Sequence, residues 1–265
     1  MPTLHLTAGA DDAAAHPQIR AIQPIDLKDA LVRGCSDFVA MPTHIMFLCV
    51  IYPIVGLVLA RLALGYDVLP LLFPLMTGFV LIGPFAAIGL YELSRRREQG
   101  LEACWTDAFD VLGSPSFAAI AALGFLLMLI FIFWLAAADW IYLVTFGNKP
   151  VALIADFVDE VLTTSSGWKL IILGNGMGFL FALLALSISA VSFPLLLDRN
   201  VGVATAILTS VRLVCGSPVT MSLWGLIVAG LLVIGSVPFF IGLAVVMPVL
   251  GHSTWHLYRA AVITA

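Results

Sequence analysis

The chain has 265 residues, of which 62% are hydrophobic and only 11% are charged, and its mean hydropathy is +1.10. An ordinary soluble domain is about 45–50% apolar and about 25% charged, so this composition excludes a free water-soluble domain and predicts a membrane protein. The 12 Lys and Arg residues form no basic patch beyond Arg95–Arg97, which argues against a nucleic-acid partner.

The first 25 residues contain no long apolar run, and charged or ionisable residues such as Asp11, Asp12 and Arg20 interrupt them. A cleavable signal peptide requires an apolar central region, so none is predicted here. We expect residues 1–25 to form a disordered cytoplasmic tail, followed by a polytopic membrane domain over residues 26–265.

Long stretches without Asp, Glu, Lys or Arg predict the membrane spans, since a span needs about 20 apolar residues. The stretch from 213 to 258 is too long for one helix, and the break Gly235-Ser236-Val237-Pro238 divides it into two. The predicted fold is therefore all-α with six transmembrane helices. Their ranges are roughly 44–64, 69–93, 111–138, 170–197, 219–236 and 238–258.

Six spans place both termini on the same side of the membrane. That side carries most of the basic residues near the membrane, including the cluster Arg95–Arg97, and the other side carries only Arg61, Lys149 and Lys169. Because basic loops stay on the cytoplasmic side, this asymmetry predicts that both termini are cytoplasmic.

Residues 148–167 form the only sizeable loop on the predicted outer side. Pro150 stands at a helix start, and the apolar residues that follow have helical spacing, so an amphipathic helix on the outer surface is predicted. Asp156, Asp159 and Glu160 make its polar face acidic. This helix either shields the helix ends or provides a docking face for a partner or a cation.

Three amphipathic segments, residues 26–40, 101–112 and 203–214, each precede a proline that starts an odd-numbered span. A helix with one apolar face and one polar face is expected to lie in the headgroup layer. The predicted apolar faces are Leu27, Leu31, Cys35 and Phe38 in the first segment, Leu101, Trp105, Ala108 and Leu112 in the second, and Val203, Ile207, Val211 and Val214 in the third.

The segments and the span exits repeat along the chain. Gly113-Ser114-Pro115 matches Gly216-Ser217-Pro218, and Arg97-Glu98-Gln99-Gly100 resembles Arg199-Asn200-Val201-Gly202. The first and third segments align on their prolines without a gap, and the second is offset by one residue. We therefore predict three helical-hairpin repeats, about 26–97, 101–199 and 203–259, each preceded by an amphipathic interfacial helix. Transporter sites often lie at repeat interfaces, but repeats also serve as plain packing modules.

The histidine candidates for a metal site are His252 and His256, four residues apart on one helix face, with His44 as a third ligand from span one. Zinc requires three or four ligands, so the pair alone is not a site. The alternative interpretation is that these histidines are polar anchors at the membrane interface.

Other polar residues lie in or next to the spans. Glu92 can pair with Arg95 and Arg96 within one helix, or it can belong to a proton or ion relay. Asn175 stands among glycines 174, 176 and 178, which favour a close helix crossing. The serines of span four can bond to their own helix or line a narrow path. We find no nucleophile–base pair, carboxylate pair or metal cluster, so neither an enzyme nor a cofactor is predicted.

The stretch from Gly83-Pro84 through Gly89-Leu-Tyr-Glu-Leu-Ser-Arg-Arg-Arg-Glu-Gln-Gly100, with the amphipathic segment that follows, resembles the bacterial integral membrane family with domain of unknown function 2189. The resemblance runs from about Asp26 to Arg259. It implies a multi-pass inner-membrane protein. Some members carry a cytochrome c oxidase label, but a catalytic oxidase subunit needs about six histidines inside its spans, and this chain has five in all.

These observations lead to two functional hypotheses. The first is a non-catalytic accessory or assembly partner of a membrane complex, such as a respiratory one, with the lipid bilayer and other membrane proteins or further copies of itself as partners. The second is a small-solute or ion transporter or channel, whose pathway at the repeat interface would use Glu92, Asn175, His44 and the serines of span four.

Overall fold

The computed structural model describes residues 17–41, 74–75, 83–147, 154–237 and 241–263. These residues are almost entirely helical, and the single β-bridge found among them joins Ile19 to Val262. The predicted all-α class is therefore confirmed. Predicted span one, His44 and most of span two lie outside the described residues.

The described helices are, in chain order, α1 (Pro24–Ala40), α2 (Gly83–Ala86), α3 (Ile88–Glu98), a 3₁₀ helix (Trp105–Gly113), α4 (Phe117–Phe146), α5 (Ile154–Thr163), α6 (Ser165–Ser189), α7 (Ser192–Asp198), α8 (Val203–Gly216), α9 (Pro218–Ser236) and α10 (Leu243–Ala261).

Three of the described helices are long and apolar enough to cross a membrane: α4, α6 continued by α7 over Ser165–Asp198, and α9. Helix α4 has 30 residues, and at 1.5 Å per residue it is about 45 Å long, which exceeds the hydrocarbon core of about 30 Å. The structure thus supports spans three, four and five.

The observed helices differ from the predicted spans at their ends. Span three begins at Phe117 rather than at 111, because residues 105–113 form the separate 3₁₀ helix. Span four is interrupted between Ser189 and Ser192, so its last seven residues form the distinct helix α7. The predicted span six corresponds to α10, which is not among the membrane-length apolar helices because its second half is polar.

The described residues divide into two units. The first holds residues 17–41, 84–124, 186–237 and 241–263, and the second holds 74–75, 83, 125–147 and 154–185. In the first unit α3, α7 and α10 contact one another, and each amphipathic segment packs on one of them: α1 on α10, the 3₁₀ helix on α3, and α8 on α7. The largest fully buried side chains of this unit include Trp255, Tyr91, Tyr258, Phe193, Leu27 and Leu195.

The second unit is organised around aromatic side chains of α4. The indole Nε1 of Trp134 donates a 2.9 Å hydrogen bond to the carbonyl oxygen of Pro74. The Trp134 ring lies 5.7 Å from the ring of Phe181 on α6, and a Cβ at Gly178 would be 3.1 Å from the indole. A glycine at 178 therefore gives the large Trp134 side chain room against α6.

The face of α1 that packs on the rest of the protein differs in part from the apolar face predicted for the headgroup layer. The buried residues are Leu27, Ala30, Gly34 and Asp37, whereas Cys35 is exposed. The face turned toward α10 is set by Gly34, whose missing side chain permits backbone contact with Ser253. Close packing against a helix therefore outweighed the side-chain hydrophobicity that an isolated interfacial helix would follow.

The predicted faces of the other two amphipathic segments also shift. In the 3₁₀ helix Ala108 and Val111 are buried while Leu112 is exposed, because three residues per turn place i and i+3 on one line. Leu101 precedes this helix and is exposed as well. In α8 the buried residues are Ala206, Thr209, Ser210, Leu213 and Val214.

The predicted disorder of residues 1–25 does not extend through residues 17–23; residues 1–16 lie outside the described part. The backbone N–H of Arg20 donates to the carbonyl of Ala261 at 2.9 Å, and the N–H of Ile263 donates to that of Gln18 at 2.9 Å. Ile22 is buried, and its N–H donates to the Ser217 hydroxyl at 2.9 Å. Pairing with the C-terminal end of α10 thus orders the chain ahead of α1.

Candidate functional site

A polar cluster in the first unit joins the last turn of α3 to α1 and α10. Three consecutive arginines lie in the last turn of α3, and successive residues of a helix point about 100° apart, so their side chains leave the helix in different directions. Arg95 and Arg96 turn back to Glu92, and Arg97 reaches across to Asp37 of α1. The arginines of α3 therefore form ion pairs both within α3 and with α1.

Glu92 is 2% exposed and accepts from two guanidinium groups. Its two carboxylate oxygens receive hydrogen bonds of 2.8 Å each from Nε and Nη2 of Arg95, and Oε1 also receives one of 3.2 Å from Nε of Arg96. The spacings i,i+3 and i,i+4 place the three side chains on one helix face. Bidentate contact is the strong form of an Arg–carboxylate pair, and it compensates the burial of the Glu92 charge.

Asp37 is the centre of the second part of the cluster. Its Oδ2 accepts from the Ser94 hydroxyl at 2.7 Å and contacts Nε2 of His256 at 2.8 Å, while its Oδ1 accepts from Nη1 of Arg97 at 2.8 Å. These three side chains come from α3 and α10, so one carboxylate of α1 connects three helices. A buried carboxylate with this many donors is compensated rather than orphaned.

The hydrogen bonds also determine the pKa of Asp37. Burial of the carboxyl group raises its pKa, but the hydrogen bonds from His256 and Ser94 outweigh burial, so the pKa lies below its ordinary value. Asp37 is therefore ionised near neutral pH and acts only as an acceptor.

The ionised Asp37 fixes the proton arrangement around Ser94. Since the Ser94 hydroxyl has one hydrogen and gives it to Asp37, the 2.6 Å contact between Ser94 Oγ and His252 Nδ1 requires Nδ1 to be the donor. A neutral His252 then carries its lone pair on Nε2, which is buried and makes no hydrogen bond to the described residues. Ser94 is 1% exposed and His252 is 0% exposed.

A second group of contacts joins α10 to the ends of α3 and α7. The Tyr258 hydroxyl donates to Asp198 at 2.6 Å, and the Trp255 Nε1 donates to Glu98 at 3.0 Å. Arg259 contacts both carboxylates, Glu98 at 3.0 Å and Asp198 at 3.5 Å. The polar half of α10 is thus held by side chains of the protein itself.

An open cleft of about 520 Å³ lies beside these groups, at the ends of α3 and α7 and next to the first turn of α4. A smaller cleft of about 200 Å³ lies between α1, α3 and α10 and is lined by residues that include Asp37, Ser94, Arg97 and His256. Both clefts belong to the first unit.

The structure brings some of the sequence-derived candidates together and separates others. Glu92 pairs with Arg95 and Arg96, and His252 and His256 meet at Asp37. No group of three or more potential metal ligands occurs in the part of the chain that the structure describes, and His44 lies outside that part.

The candidates of the second unit lie on exposed or half-buried positions. Asn175 is exposed on α6, where its Nδ2 donates to the carbonyl of Ile171 at 2.8 Å. Asp156 and Asp159 are exposed on α5, and Glu160 is half-buried. Phe157 of the same helix packs on Phe146 of α4, with ring centroids 6.1 Å apart. Val158 and Leu162, two apolar residues of this predicted surface helix, are exposed.

Sequence reasoning missed Asp37, Ser94 and Arg97 as parts of one cluster. A signal for Asp37 was present, because alignment of the first and third segments on their prolines sets Asp37 opposite Leu213, an apolar and buried residue. A charged residue at a position that is apolar in another repeat indicates a buried charge with a partner.

Three membrane-length apolar helices among the described residues, together with a mean hydropathy of +1.10, define the chain as an integral membrane protein. Residues 71–198 match the family described as "Predicted integral membrane protein (DUF2189)", which confirms the resemblance seen in residues 83–109. The wider resemblance, over residues 26–259, stays a prediction outside that range. No curated protein and no solved structure matches the chain.

Proposed function

We propose that the chain is a non-catalytic, multi-pass protein of the bacterial inner membrane that acts as an accessory or assembly partner of a larger membrane complex, such as a respiratory one. The observation that carries this proposal is an exposed apolar stripe on α1. Ile25, Val32 and Val39 are seven residues apart, lie on one helix face, and are each more than half exposed. The opposite face of α1 packs on α10.

Exposed apolar stripes of this kind mark protein or membrane contact sites. Residues 24–40 precede all six predicted spans, so the stripe is available to a partner on the predicted cytoplasmic side. The heptad spacing favours a helix of another membrane protein as the occupant, since residues seven apart form a straight seam along a helix. Insertion of the stripe into the bilayer is the competing outcome.

The proposed architecture has six spans in three repeats, with both termini in the cytoplasm. It is supported by the order of helix contacts in the first unit: each amphipathic segment packs on the exit helix of the preceding repeat, and the first packs on the last. Two contacts at corresponding positions of successive repeats agree with this order. In one, Ala108 of the 3₁₀ helix faces Gly89 of α3. In the other, Ser210 of α8 accepts a hydrogen bond of 3.4 Å from the N–H of Val191, and in both contacts the two residues are 19 positions apart.

A non-catalytic role is supported by the chemistry of the Ser94 cluster. A nucleophilic serine needs a base that takes its proton, but Ser94 gives its proton to Asp37 and receives one from His252. Both Ser94 and His252 are buried, so no substrate can reach them without opening the fold.

The transport alternative has less support. Asn175 is exposed and bonded to its own helix, and Ser192 Oγ contacts the carbonyls of Ile188 and Ala206 at 2.6 and 3.0 Å. Glu92 is occupied by two arginines. The polar groups of these residues already make hydrogen bonds or ion pairs with protein groups, whereas the groups that line a transport pathway must be free to exchange partners with a solute.

The test is affinity purification of the tagged full-length protein from native membranes in mild detergent, followed by mass spectrometry and a visible absorption spectrum. We expect stoichiometric subunits of one complex in the wild type and their loss in Val32→Ser with Val39→Ser. Leu208→Ser is the matched control, because alignment of the segments sets Leu208 of α8 opposite Val32 and it is also exposed. A single protein species in the wild type, or equal recovery of the complex from the double variant, would refute the proposal.

A further inference from the structure

The open cleft beside α4 is a site that the accessory role does not use. We propose that it binds the phosphate group of an anionic ligand. The proposal is independent of the accessory role, and it rests on the register of the repeats and on the geometry of the first unit alone. The groups that carry it are Arg199 and Ser116, which both line the cleft.

Arg199 lacks the carboxylate partner that Arg97, its counterpart in the preceding repeat, has in Asp37. Arg97 and Arg199 are equivalent in the repeats Arg97-Glu98-Gln99-Gly100 and Arg199-Asn200-Val201-Gly202. Arg97 binds Asp37 at 2.8 Å, but the residue equivalent to Asp37 in the next repeat is Val111, which lines the cleft with Arg199. The guanidinium therefore faces an apolar side chain where its counterpart faces a negative charge.

The nearest carboxylate to Arg199 does not replace that partner. Asp198 lies 4.0 Å from Arg199 Nε, and the Tyr258 hydroxyl and Arg259 also bind Asp198. Nη2 of Arg199 donates to the carbonyl of Ile263 at 3.2 Å, which is a neutral acceptor. Arg199 thus keeps positive charge and unused donors for an added anion.

Ser116 supplies a second group. It is 6% exposed, it lines the cleft, and its hydroxyl makes no hydrogen bond to the part of the chain that the structure describes. Ser116 immediately precedes the 30-residue helix α4. The backbone N–H groups of Ser116 and Phe117 already donate to Ser114, so the group that Ser116 offers to a ligand in the cleft is its hydroxyl.

Three carboxylates also line the cleft, and their charges are already used. Glu92 is bound by Arg95 and Arg96, Asp110 is bound by Arg96, and Asp198 is bound by Tyr258 and Arg259. Arg199, 4.0 Å from Asp198, has the longest carboxylate contact of the three arginines that line the cleft, so it is the arginine most available to an added anion. A phosphate oxygen matches the fork of its guanidinium and can accept from the Ser116 hydroxyl.

The phosphate can belong to a lipid headgroup or to a free solute. The cleft adjoins the start of α4, a membrane-length apolar helix, so a phospholipid could lay its acyl chains along the helix while its phosphate enters the cleft. Arg199 and Ser116 would hold inorganic phosphate in the same way, and the experiment separates the two sources.

The test uses purified full-length protein in a neutral detergent. Phosphatidylglycerol and phosphatidylcholine are titrated and bound lipid is counted by native mass spectrometry, and inorganic phosphate is titrated by calorimetry. We expect saturable binding of phosphatidylglycerol or of inorganic phosphate, weakened about tenfold or more by Arg199→Gln, since a charge-assisted hydrogen bond is worth about 1.5–3 kcal/mol. Lipid binding that persists in excess phosphate assigns a headgroup, and saturable phosphate binding alone assigns a free anion.

Two further variants make the result specific. Val111→Asp restores the carboxylate that the equivalent repeat has, so it should neutralise Arg199 and abolish binding. Arg212→Gln removes one positive charge from an exposed position of α8 outside the cleft and should leave binding unchanged. Absence of saturable binding in both titrations, or equal losses in Arg199→Gln and Arg212→Gln, would overturn the proposal.

Discussion

Gly34 of α1 and Ser253 of α10 are in direct backbone contact: a Cβ at Gly34 would lie 2.7 Å from the backbone nitrogen of Ser253 and 2.9 Å from its Cα. Real Cβ atoms are not found at such distances from backbone, so only glycine fits here. The contact holds α1 close enough for Asp37, one turn later, to reach His256 and Ser94. A backbone approach therefore sets the geometry of the polar cluster.

We predict that Gly34→Ala destabilises the protein by about 1–3 kcal/mol, because an added methyl group in a tight contact forces the backbone to move. The measurement is the midpoint of thermal unfolding in detergent. Gly216→Ala is the control, since a Cβ at Gly216 of α8 would meet nothing within 4 Å. A Gly34→Ala variant as stable as the control would show that α1 and α10 do not pack this closely.

Asp37→Asn tests the carboxylate that joins three helices. The asparagine amide has the same shape as the carboxylate but no charge, so Arg97 loses its ion-pair partner. The amide NH₂ also replaces one of the two acceptor oxygens, so one hydrogen-bond donor that contacts Asp37 then faces another donor. We expect a loss of about 1–3 kcal/mol in the free energy of unfolding. Asp29→Asn, an exposed carboxylate of the same helix, should change stability little. Equal effects of the two substitutions would contradict the proposed network.

Acid should weaken the same network. The pKa of Asp37 is lower in the folded protein than in the unfolded chain, because the hydrogen bonds from His256 and Ser94 outweigh burial. Its contribution is therefore fully present above the unfolded pKa and is lost as pH falls through the folded pKa. The pKa of Asp26 is lowered too, chiefly by its hydrogen bond from Arg20. Protonation of Asp26 therefore also lowers the stability of the folded protein as the pH falls.

The measurement is the unfolding midpoint as a function of pH below about 5, where carboxylates titrate. The wild type should lose stability on acidification, and Asp37→Asn should lose less over the same interval because it has no carboxyl group to protonate. Parallel curves for the two proteins would mean that Asp37 does not contribute through its charge.

Glu92→Gln removes the negative charge that two arginines share. Since Glu92 is 2% exposed, the variant leaves Arg95 and Arg96 as neighbouring charges at the end of α3, although Arg96 keeps Asp107 at 3.1 Å. We expect a loss of about 1–3 kcal/mol in unfolding free energy, measured in detergent with Glu102→Gln, an exposed carboxylate, as the control. If the variant is unaffected in stability yet alters ion flux in liposomes, Glu92 belongs to a pathway instead.

The sequence alone determined the class of the protein and several of its boundaries. Composition indicated a membrane protein. The long stretches without charged residues located the spans that correspond to α4, to α6 with α7, and to α9. The proline at 218 marked the start of α9. Glu92 and its arginines were also predictable, because helical spacing i,i+3 and i,i+4 depends only on local geometry. These features follow from interactions within one segment or between a segment and lipid.

Only the tertiary structure decided which face of each amphipathic segment is buried and which charges meet. Hydrophobicity placed Cys35 on the apolar face of α1, but contact with α10 buried Gly34 and Asp37 instead. In the second segment the 3₁₀ turn buried Val111 beside Ala108, which the sequence had predicted, and left Leu112 exposed. The pairing of Asp37 with Ser94 and His256 joins residues 57 and 219 positions apart. Local periodicity carries no information about such partners, because burial of a polar group depends on the donors that another helix brings to it.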